Sequence, residues 1–190
     1  MLRFVQLYKR ILFHLLVFSI IWSCSCQKQG LPLPPISINS QYPNLTETDR
    51  GLAIIWYEPI GESHALKWSE FNGRSWSKPI TITIGKEYFI NWADFPSIFY
   101  NGRNHFVVHW LEKNGIGPYD YVVKVSQSLD RGRSWSSPII PHRDKKLGEH
   151  GFVSFFNVND NKVGLVLSLI HISEPTRRYA SSESGVCFKK

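Results

Sequence analysis

The stretch SLDRGRSW, residues 128–135, decides the fold, because its residue types together suit a tight hairpin turn. The hydroxyl of Ser128 and the carboxylate of Asp130 can accept hydrogen bonds from N–H groups of the turn. Gly132 permits a positive φ angle, and Trp135 is large enough to fill the space beneath the turn. The stretch therefore predicts a turn between two antiparallel strands, with a structural rather than a catalytic role.

The same turn recurs one repeat earlier in the chain. RGRSWSSPI at residues 131–139 matches NGRSWSKPI at 72–80, an offset of 59 residues, and VHWLE at 108–112 matches IIWYE at 54–58, an offset of 54. A third copy begins at residue 150. In the earlier copy, Phe71 stands where the aspartate is expected. We predict a degenerate copy of the same turn there, which keeps Gly73 and Trp76.

The pattern of apolar residues predicts strands. Residues 27–166 carry short alternating or continuous apolar runs, such as GLAIIWYE and YVVKVSQS, separated by clusters of Gly, Asn, Pro and Asp. This pattern is typical of an all-β protein. A repeat of roughly 55 residues with about four strands has the size of one β-propeller blade. We therefore expect an incomplete β-propeller of about two and a half four-stranded antiparallel blades within residues 40–166.

The N-terminus reads as a processing signal. Arg3, Lys9 and Arg10 precede an apolar run at residues 11–22, which is too short to span a bilayer. The run ends in IWSCSC, which resembles the lipobox of bacterial lipoproteins and places the acylated thiol at Cys24. Residues 1–26 are thus expected to be a lipoprotein signal peptide, and the polar, Pro-rich residues 27–39 a tether. The alternatives are lipidation at Cys26 and secretion without lipidation.

The charge balance argues against a nucleic-acid partner. The chain has a net charge of +7, with 22 Lys and Arg against 15 Asp and Glu. Three of these cations lie in the signal peptide; four cations and two carboxylates lie after Val166, which leaves 15 − 13 = +2 for the segment between. The cysteines divide in the same way between the lipobox and the tail, so no disulfide or metal framework is expected. We predict no cofactor and no metal.

The last 24 residues fit nothing before them. LSLIHISEPTR at residues 167–177 has neither strand alternation nor a helical stripe, and it resembles one translated reading frame of a transposase adapter used in DNA sequencing. We expect residues 167–190 to be adapter-derived, and either to pack poorly or to form an unpaired extension.

The turn motif and its surroundings resemble a protein family. SLDRGRSW matches S-x-D-x-G-x-[ST]-W, the Asp-box of sialidases and related β-propellers, and NWADFPS, HWLEK, HRD and EHGFVS follow the order and spacing of a bacterial branch of sialidase-like, BNR-repeat proteins. The resemblance implies a six-bladed propeller that binds or processes sialic acids or other glycans. The family's R-I-P arginine has no counterpart, because YPN at Tyr42 and FPS at Phe95 occupy its places. Its Tyr nucleophile, Glu partner and later arginines would follow residue 166.

Strand parity divides the loops into two faces. If each blade has four antiparallel strands, the Asp-box turns lie on one face, and the approaches to the inner strands lie on the other. The second face is the one that family active sites use. Paired carboxylates there suit glycoside hydrolysis, in which one donates a proton and the other stabilises positive charge. The acids and the histidine expected on this face are Glu58, Glu62, Asp94, Glu112, Asp120, Glu149 and His150.

Asp94 and Glu149 are the candidate catalytic pair, because each begins an inner strand; the alternative is that they cap those strands. Trp92 is a candidate sugar-stacking platform beside Asp94. The other candidate substrate-binding residues are His150, Glu112 and Asp120. His109 alternates with apolar residues and is interpreted as a packed strand residue, whereas HRDKK at residues 142–146 is interpreted as a solvated loop.

Two functions remain open at this stage. The first is a lipid-anchored, sialidase-like exo-glycosidase of the bacterial cell envelope, in the outer membrane or periplasm. The second is a non-catalytic propeller lipoprotein that binds a glycan or another protein. Both imply a glycan or glycoconjugate partner and contact with the membrane through the lipid anchor only. The carboxylates favour the first function, and the missing R-I-P arginine favours the second.

Overall fold

The computed structural model describes residues 30–143, 146–159, 162–170 and 184–189, with the backbone alone for 169–170 and 184–189. The chain divides into two compact units, Met1–Leu31 and Pro32–Lys190. The predicted signal peptide, Cys24 and residues 27–29 lie outside the described residues. Every regular element in the described ranges is a strand, which confirms the all-β prediction. Within these ranges, no helix is long and apolar enough to cross a membrane.

The first sheet matches the predicted repeat of four strands. Each strand pairs antiparallel with the next, so the chain runs up and down in sequence order. The strands are β1 Gln41–Thr48, β2 Gly51–Ile60, β3 Ser63–Phe71 and β4 Ile80–Gly85.

The second sheet has the strand order β10-β9-β8-β7-β6-β5. Its pairings are antiparallel except for β7 with β8, which join in parallel through the single pair Tyr121 and Glu149. The strands are β5 Ser97–Tyr100, β6 Phe106–Lys113, β7 Tyr121–Ser128, β8 Glu149–Asn159, β9 Lys162–Ile170 and β10 Ser184–Lys189.

The second repeat differs from the expectation of four strands. Its fourth segment makes one isolated antiparallel bridge, between Ile139 and Val125, in which each N–H donates to the other carbonyl over 2.9 Å. Pro138 and Pro141 flank this bridge and have no N–H group to donate. The segment therefore follows β7 without extending into a regular strand.

Strand β6 is buried on both of its faces, which explains why His109 is the one polar residue at positions 106–111. Val108 and Trp110 pack in one core cluster with residues of β2, β3 and β5. Val107 and Leu111 pack in a second cluster with residues of β7 and β9. A strand that lies between two cores has no solvated face and shows no alternation of polar side chains.

The C-terminal segment does not form the expected unpaired extension throughout. Leu167 lies in β9 and is 1% exposed in the second core cluster. Ser184–Lys189 forms β10, which pairs antiparallel with β9. The alternative of an unpaired extension is therefore wrong for Leu167 to Ile170 and for β10. The adapter origin of these residues stays a prediction.

The connections between strands gather at two ends of the sheets. One end, here called the turn face, carries the turns at residues 49–50, 72–75, 101–105 and 129–135. Hydrogen bonds join these turns to each other, for example from Arg131 N to Asn104 O over 2.9 Å. The opposite end, here called the carboxylate face, carries the longer connections 86–96, 114–120 and 141–148.

Candidate functional site

Asp94 is held in place by its own loop on the carboxylate face. The side-chain oxygen of Asn91 accepts hydrogen bonds from the N–H groups of Ala93 and Asp94, each over 2.8 Å, and its amide donates to Asp94 O over 3.0 Å. This asparagine-centred turn directs the aspartate inward. Asp94 is 6% exposed, so its carboxyl group is nearly withdrawn from solvent.

The carboxyl group of Asp94 contacts the start of β8. Its Oδ2 atom accepts a hydrogen bond from the N–H of Phe152 over 2.7 Å. A Cβ atom at Gly151 would lie 1.9 Å from the same oxygen, so this position has room only for glycine. Burial raises the pKa of Asp94 to about 6; the Phe152 hydrogen bond opposes the shift, and the nearby negative charge of Glu149 adds to it.

Phe152 adopts a backbone conformation that is unusual for a bulky residue. Its φ angle is +53°, and the register of β8 against β9 shifts between Gly151 and Ser154. A residue in this region costs on the order of 1–3 kcal/mol of strain and persists where surrounding contacts hold it. The hydrogen bond from Phe152 N to Asp94 is such a contact. It couples the aspartate to the bulge that begins β8.

Tyr121 and Glu149 lie side by side next to Asp94. They form the one parallel pair between β7 and β8, and Tyr121 N donates to Gly148 O over 3.3 Å. The Tyr121 ring stacks on Phe89, with centroids 4.0 Å apart. Burial, the hydrogen bond with Glu149 and the negative charges of Glu149 and Asp94 all raise the pKa of Tyr121. Tyr121 is therefore held as a neutral phenol.

His150 is fully buried and anchors the start of β8. Its Nδ1 atom lies 2.9 Å from Gly148 O and 3.1 Å from Tyr121 O. Its ring stacks on His142, with centroids 4.2 Å apart and planes 9° apart. The interpretation of residues 142–146 as a solvated loop is thus wrong for His142, which is 9% exposed. His150 bonds the backbone beside the two carboxylates.

Aromatic side chains are exposed around this cluster. Trp92 is 82% exposed, two residues before Asp94, and Phe152 is 48% exposed. Tyr119 is 53% exposed in the neighbouring loop. Exposed aromatic rings next to buried carboxyl groups give the face both stacking surfaces and polar groups.

Glu112 takes part in an arrangement that both repeats share. Trp110 Nε1 lies 3.5 Å from Glu112 Oε2, and Lys124 Nζ lies 3.7 Å from Glu112 Oε1. In the first sheet, Glu58 bonds Trp56 Nε1 over 3.3 Å and pairs with Lys67. Because the same arrangement occurs twice, the structure places Glu112 in an intra-sheet contact that both repeats share.

Asp120 closes its own loop. Its Oδ2 atom accepts a hydrogen bond from Gly117 N over 2.8 Å, and its backbone oxygen accepts one from Asn114 N over 3.1 Å. The structure thus brings together Asp94, Glu149 and His150, with Trp92 exposed in the Asp94 loop. It uses Asp120 and Glu112 for local contacts.

His109 lies deeper, on β6. It is 1% exposed, and its Nδ1 atom lies 2.8 Å from Ser97 Oγ, which confirms its interpretation as a packed strand residue. Burial lowers its pKa to about 3, so it stays neutral at physiological pH.

The turn at residues 128–135 is held by the side chains of its own motif. Ser128 Oγ accepts the N–H of Gly132 over 2.7 Å, and Asp130 Oδ1 accepts that of Ser134 over 2.9 Å. The hydrogen bond from the Ser134 hydroxyl, together with those from the Ser134 N–H and the Ser128 hydroxyl, lowers the pKa of Asp130 to about 2. Gly132 has a φ angle of +74°, and Trp135 packs edge-on against Trp68.

The earlier copy of the turn is shorter than expected. Ser136 Oγ accepts the N–H of Gln127, nine residues before it, whereas Ser77 Oγ accepts that of Glu70, seven residues before it. The prediction of the same turn in both copies is therefore wrong by two residues. Asn72 replaces the missing aspartate, because its side-chain oxygen accepts the N–H groups of Arg74 and Ser75. Gly73, with a φ angle of +89°, and Trp76 remain in this turn.

The sequence interpretation missed three residues that organise these ends: Tyr121, Gly151 and Arg131. Gly151 directly follows the predicted His150, and its lack of a side chain was the available signal. No sequence signal indicates the roles of Tyr121 and Arg131, because their contacts join segments that are distant in sequence. Among the described residues, no group of three or more His, Cys, Asp and Glu side chains is placed to bind a metal ion.

No protein-family model matches the sequence, and no curated protein does. Among solved structures, the fold is similar to that of an α-L-arabinofuranosidase from Fusarium graminearum, solved as a mutant with an iminosugar inhibitor. The sequence identity is 16% and the TM-score is 0.42, and the match covers 69% of this chain and 41% of that structure. The chain thus spans less than half the length of this neighbour.

Proposed function

We propose that the protein contains about two and a half blades of a six-bladed, sialidase-like β-propeller. In this proposal the first sheet is one blade, β5 to β7 with the segment at Ile139 are the second, and β8 begins the third. Two observations support this proposal: the up-and-down strand order within each proposed blade, and the two core clusters on either side of β6. Successive propeller blades bury their faces against each other in this way.

The proposed activity is processing of a glycan by a sialidase-like exo-glycosidase. The observation that carries it is the burial of Asp94, whose pKa of about 6 lies within the range of a general acid, beside Glu149. A carboxyl group that keeps its proton near neutral pH can donate it to a leaving glycosidic oxygen. Glu149 then supplies the negative charge that stabilises an oxocarbenium-like transition state.

The second candidate is glycan binding without hydrolysis. It is favoured by the exposed side chains of Trp92, Phe152 and Tyr119 around the carboxylates. Aromatic rings stack on the apolar faces of sugars, and this contact needs no catalytic group. In both candidates the partner is a glycan or glycoconjugate. Our proposal includes a location in the bacterial cell envelope, with export by the signal peptide at residues 1–26 and a lipid anchor at Cys24.

The test is hydrolysis of a panel of chromogenic glycosides, including a sialoside, by the full chain and by Asp94→Asn. The asparagine oxygen can still accept the Phe152 N–H, so this variant removes the proton donor and keeps the fold contact. Asp120→Asn is the matched control, because it changes a carboxylate on the same face that closes only its own loop.

Loss of hydrolysis by at least about 100-fold in Asp94→Asn, with Asp120→Asn unchanged, supports the glycosidase. If no glycoside is cleaved but immobilised glycans bind the chain and Trp92→Ala weakens that binding, the second candidate holds. If the chain neither cleaves a glycoside nor binds a glycan, both candidate functions are wrong.

A further inference from the structure

The sequence contains three Asn-Gly pairs, and the structure places them in three different surroundings. They are Asn72–Gly73, Asn101–Gly102 and Asn114–Gly115. An asparagine before glycine is prone to lose its side-chain ammonia, because glycine has no Cβ atom to shield its backbone nitrogen. That nitrogen can then attack the side-chain carbon of the asparagine. Since the pair is the same at all three sites, the fold decides which site reacts.

Asn101, on the turn face, is enclosed by its neighbours. It is 4% exposed. Its side-chain amide donates to Asn159 O over 3.3 Å and lies 3.4 Å from His105 Nδ1. Its backbone N–H donates to His105 O over 2.9 Å. Attack by the nitrogen of Gly102 would require the side chain to leave these contacts, so Asn101 is protected while the protein is folded.

Asn72, also on the turn face, is exposed but held by its own turn. Its Oδ1 atom accepts the N–H groups of Arg74 and Ser75, each over 3.0 Å. Its backbone N–H donates to Ser75 O over 3.1 Å. Both side-chain hydrogen bonds must break before the side-chain carbon can turn towards the nitrogen of Gly73, so this pair should react slowly.

Asn114, on the carboxylate face, has neither form of protection. It is exposed, and its side chain makes no hydrogen bond in the part of the chain that the structure describes. Only its backbone N–H is bonded, to Asp120 O over 3.1 Å. The side chain is therefore free to turn towards the nitrogen of Gly115.

Asn114 begins a loop that Asp120 closes. Asp120 Oδ2 accepts the N–H of Gly117 over 2.8 Å, and Asp120 N donates to Gly117 O over 3.3 Å. The same carboxylate packs against Gly115, where a Cβ atom would clash with it. A second negative charge in this loop would repel Asp120, and an added backbone atom would disturb its hydrogen bonds. Tyr121 directly follows the loop.

We propose that Asn114 is a site of spontaneous deamidation, and that its isoaspartyl product opens the loop beside Tyr121. Gly115 N bonds to Cγ of Asn114, the Cγ–Nδ2 bond breaks, and ammonia leaves with the amide proton of Gly115. Water then opens the cyclic succinimide. Its addition to the backbone carbonyl gives isoaspartate, and its addition to Cγ gives aspartate. The inference is independent of the proposed glycosidase activity.

The test compares the three pairs within one molecule. The full chain is incubated in mildly alkaline buffer, folded or in guanidinium chloride, and the peptides that carry each pair are followed by mass spectrometry. Electron-transfer fragmentation separates isoaspartate from aspartate. Asn114→Gln is the matched control, because its longer side chain would have to close a larger ring, which forms far more slowly. Hydrogen exchange of the Gly117 N–H before and after incubation reports whether the loop has opened.

In the folded chain, we expect Asn114 to react at least about tenfold faster than Asn72, whose two hydrogen bonds must break first, and Asn101 to stay intact. In denaturant the three rates should agree within about threefold, because only the fold distinguishes the sites. Incubated wild-type chain should exchange the Gly117 N–H at least about tenfold faster than incubated Asn114→Gln.

Three outcomes would overturn the inference. In the first, Asn72 or Asn101 reacts as fast as Asn114 in the folded chain. In the second, the rates stay unequal in denaturant, which would show that the flanking sequence and not the fold sets their order. In the third, exchange of the Gly117 N–H is unchanged after Asn114 has been converted.

Discussion

The guanidinium group of Arg131 forms a two-point ion pair with the carboxylate of Glu70, which joins the turn after β7 to β3 in the other sheet. Nε lies 2.9 Å from Oε2, and Nη2 lies 2.6 Å from Oε1. Nη2 also lies 2.6 Å from Asp49, and the guanidinium group lies 5.5 Å from the ring centre of Tyr100. The turn motif thus fastens the first sheet to the second.

Replacing Arg131 by alanine should strongly destabilise the protein. The change leaves Glu70, whose side chain is 10% exposed, without its ion-pair partner, and such a loss costs about 3 kcal/mol or more. Arg133→Ala, two residues away at an exposed position, should change the free energy of unfolding by less than about 0.5 kcal/mol. Urea unfolding of both variants measures the difference. Similar losses in the two variants would contradict the role assigned to Arg131.

Gly132 should tolerate alanine far less well than Gly73. Both have positive φ angles, so each alanine carries a backbone cost of about 1–2 kcal/mol. A Cβ atom at Gly132 would lie 1.9 Å from Cζ2 of the buried Trp68, whereas the nearest atom at Gly73 is 3.9 Å away. We therefore expect Gly132→Ala to lower the midpoint of thermal unfolding much further than Gly73→Ala. Equal shifts would show that the backbone cost alone determines the loss of stability, and that the contact with Trp68 adds nothing to it.

The fold is easier to predict from the sequence than the candidate site is. The spacing of the Trp and turn motifs reports local hairpins and their repeat, because each hairpin is encoded within a few consecutive residues. The predicted length of the turn after β3 is wrong by two residues. In this turn Asn72 performs the role of the absent aspartate from a different position. No pattern within one hairpin encodes that substitution.

Contacts between segments were less predictable. Asp94 was recognised as a candidate from its place before an inner strand, but its partner Phe152 lies 58 residues later in the chain. The bond depends on the positive φ angle of Phe152. Phenylalanine rarely adopts such an angle, so the sequence does not predict it. The ion pair between Arg131 and Glu70 spans 61 residues and was missed for the same reason.

His109 should make stability fall as the solution is acidified. Its pKa is lowered from 6.5 to about 3 by burial, so the unfolded chain binds a proton between these values and the folded protein does not. Stability due to the neutral imidazole is full above about pH 6.5 and is lost as the pH falls towards 3, by on the order of 3 kcal/mol at about pH 4. His109→Asn should flatten this slope in denaturant unfolding measured across the range. An unchanged slope would show that His109 is protonated in the folded state.

The pH dependence of glycoside cleavage should report the protonated form of Asp94. Its pKa of about 6 means that the proton donor is lost as the pH rises above this value, so kcat/KM should fall about tenfold per pH unit on the alkaline side. Because the charge of Glu149 helps to raise this pKa, Glu149→Gln should move the falling limb to lower pH, as well as slowing the reaction. The position of the limb separates this electrostatic effect from a simple loss of activity, and Asp120→Asn serves as the control that leaves it in place. A limb that stays at the same pH in Glu149→Gln would show that the titrating group is not Asp94.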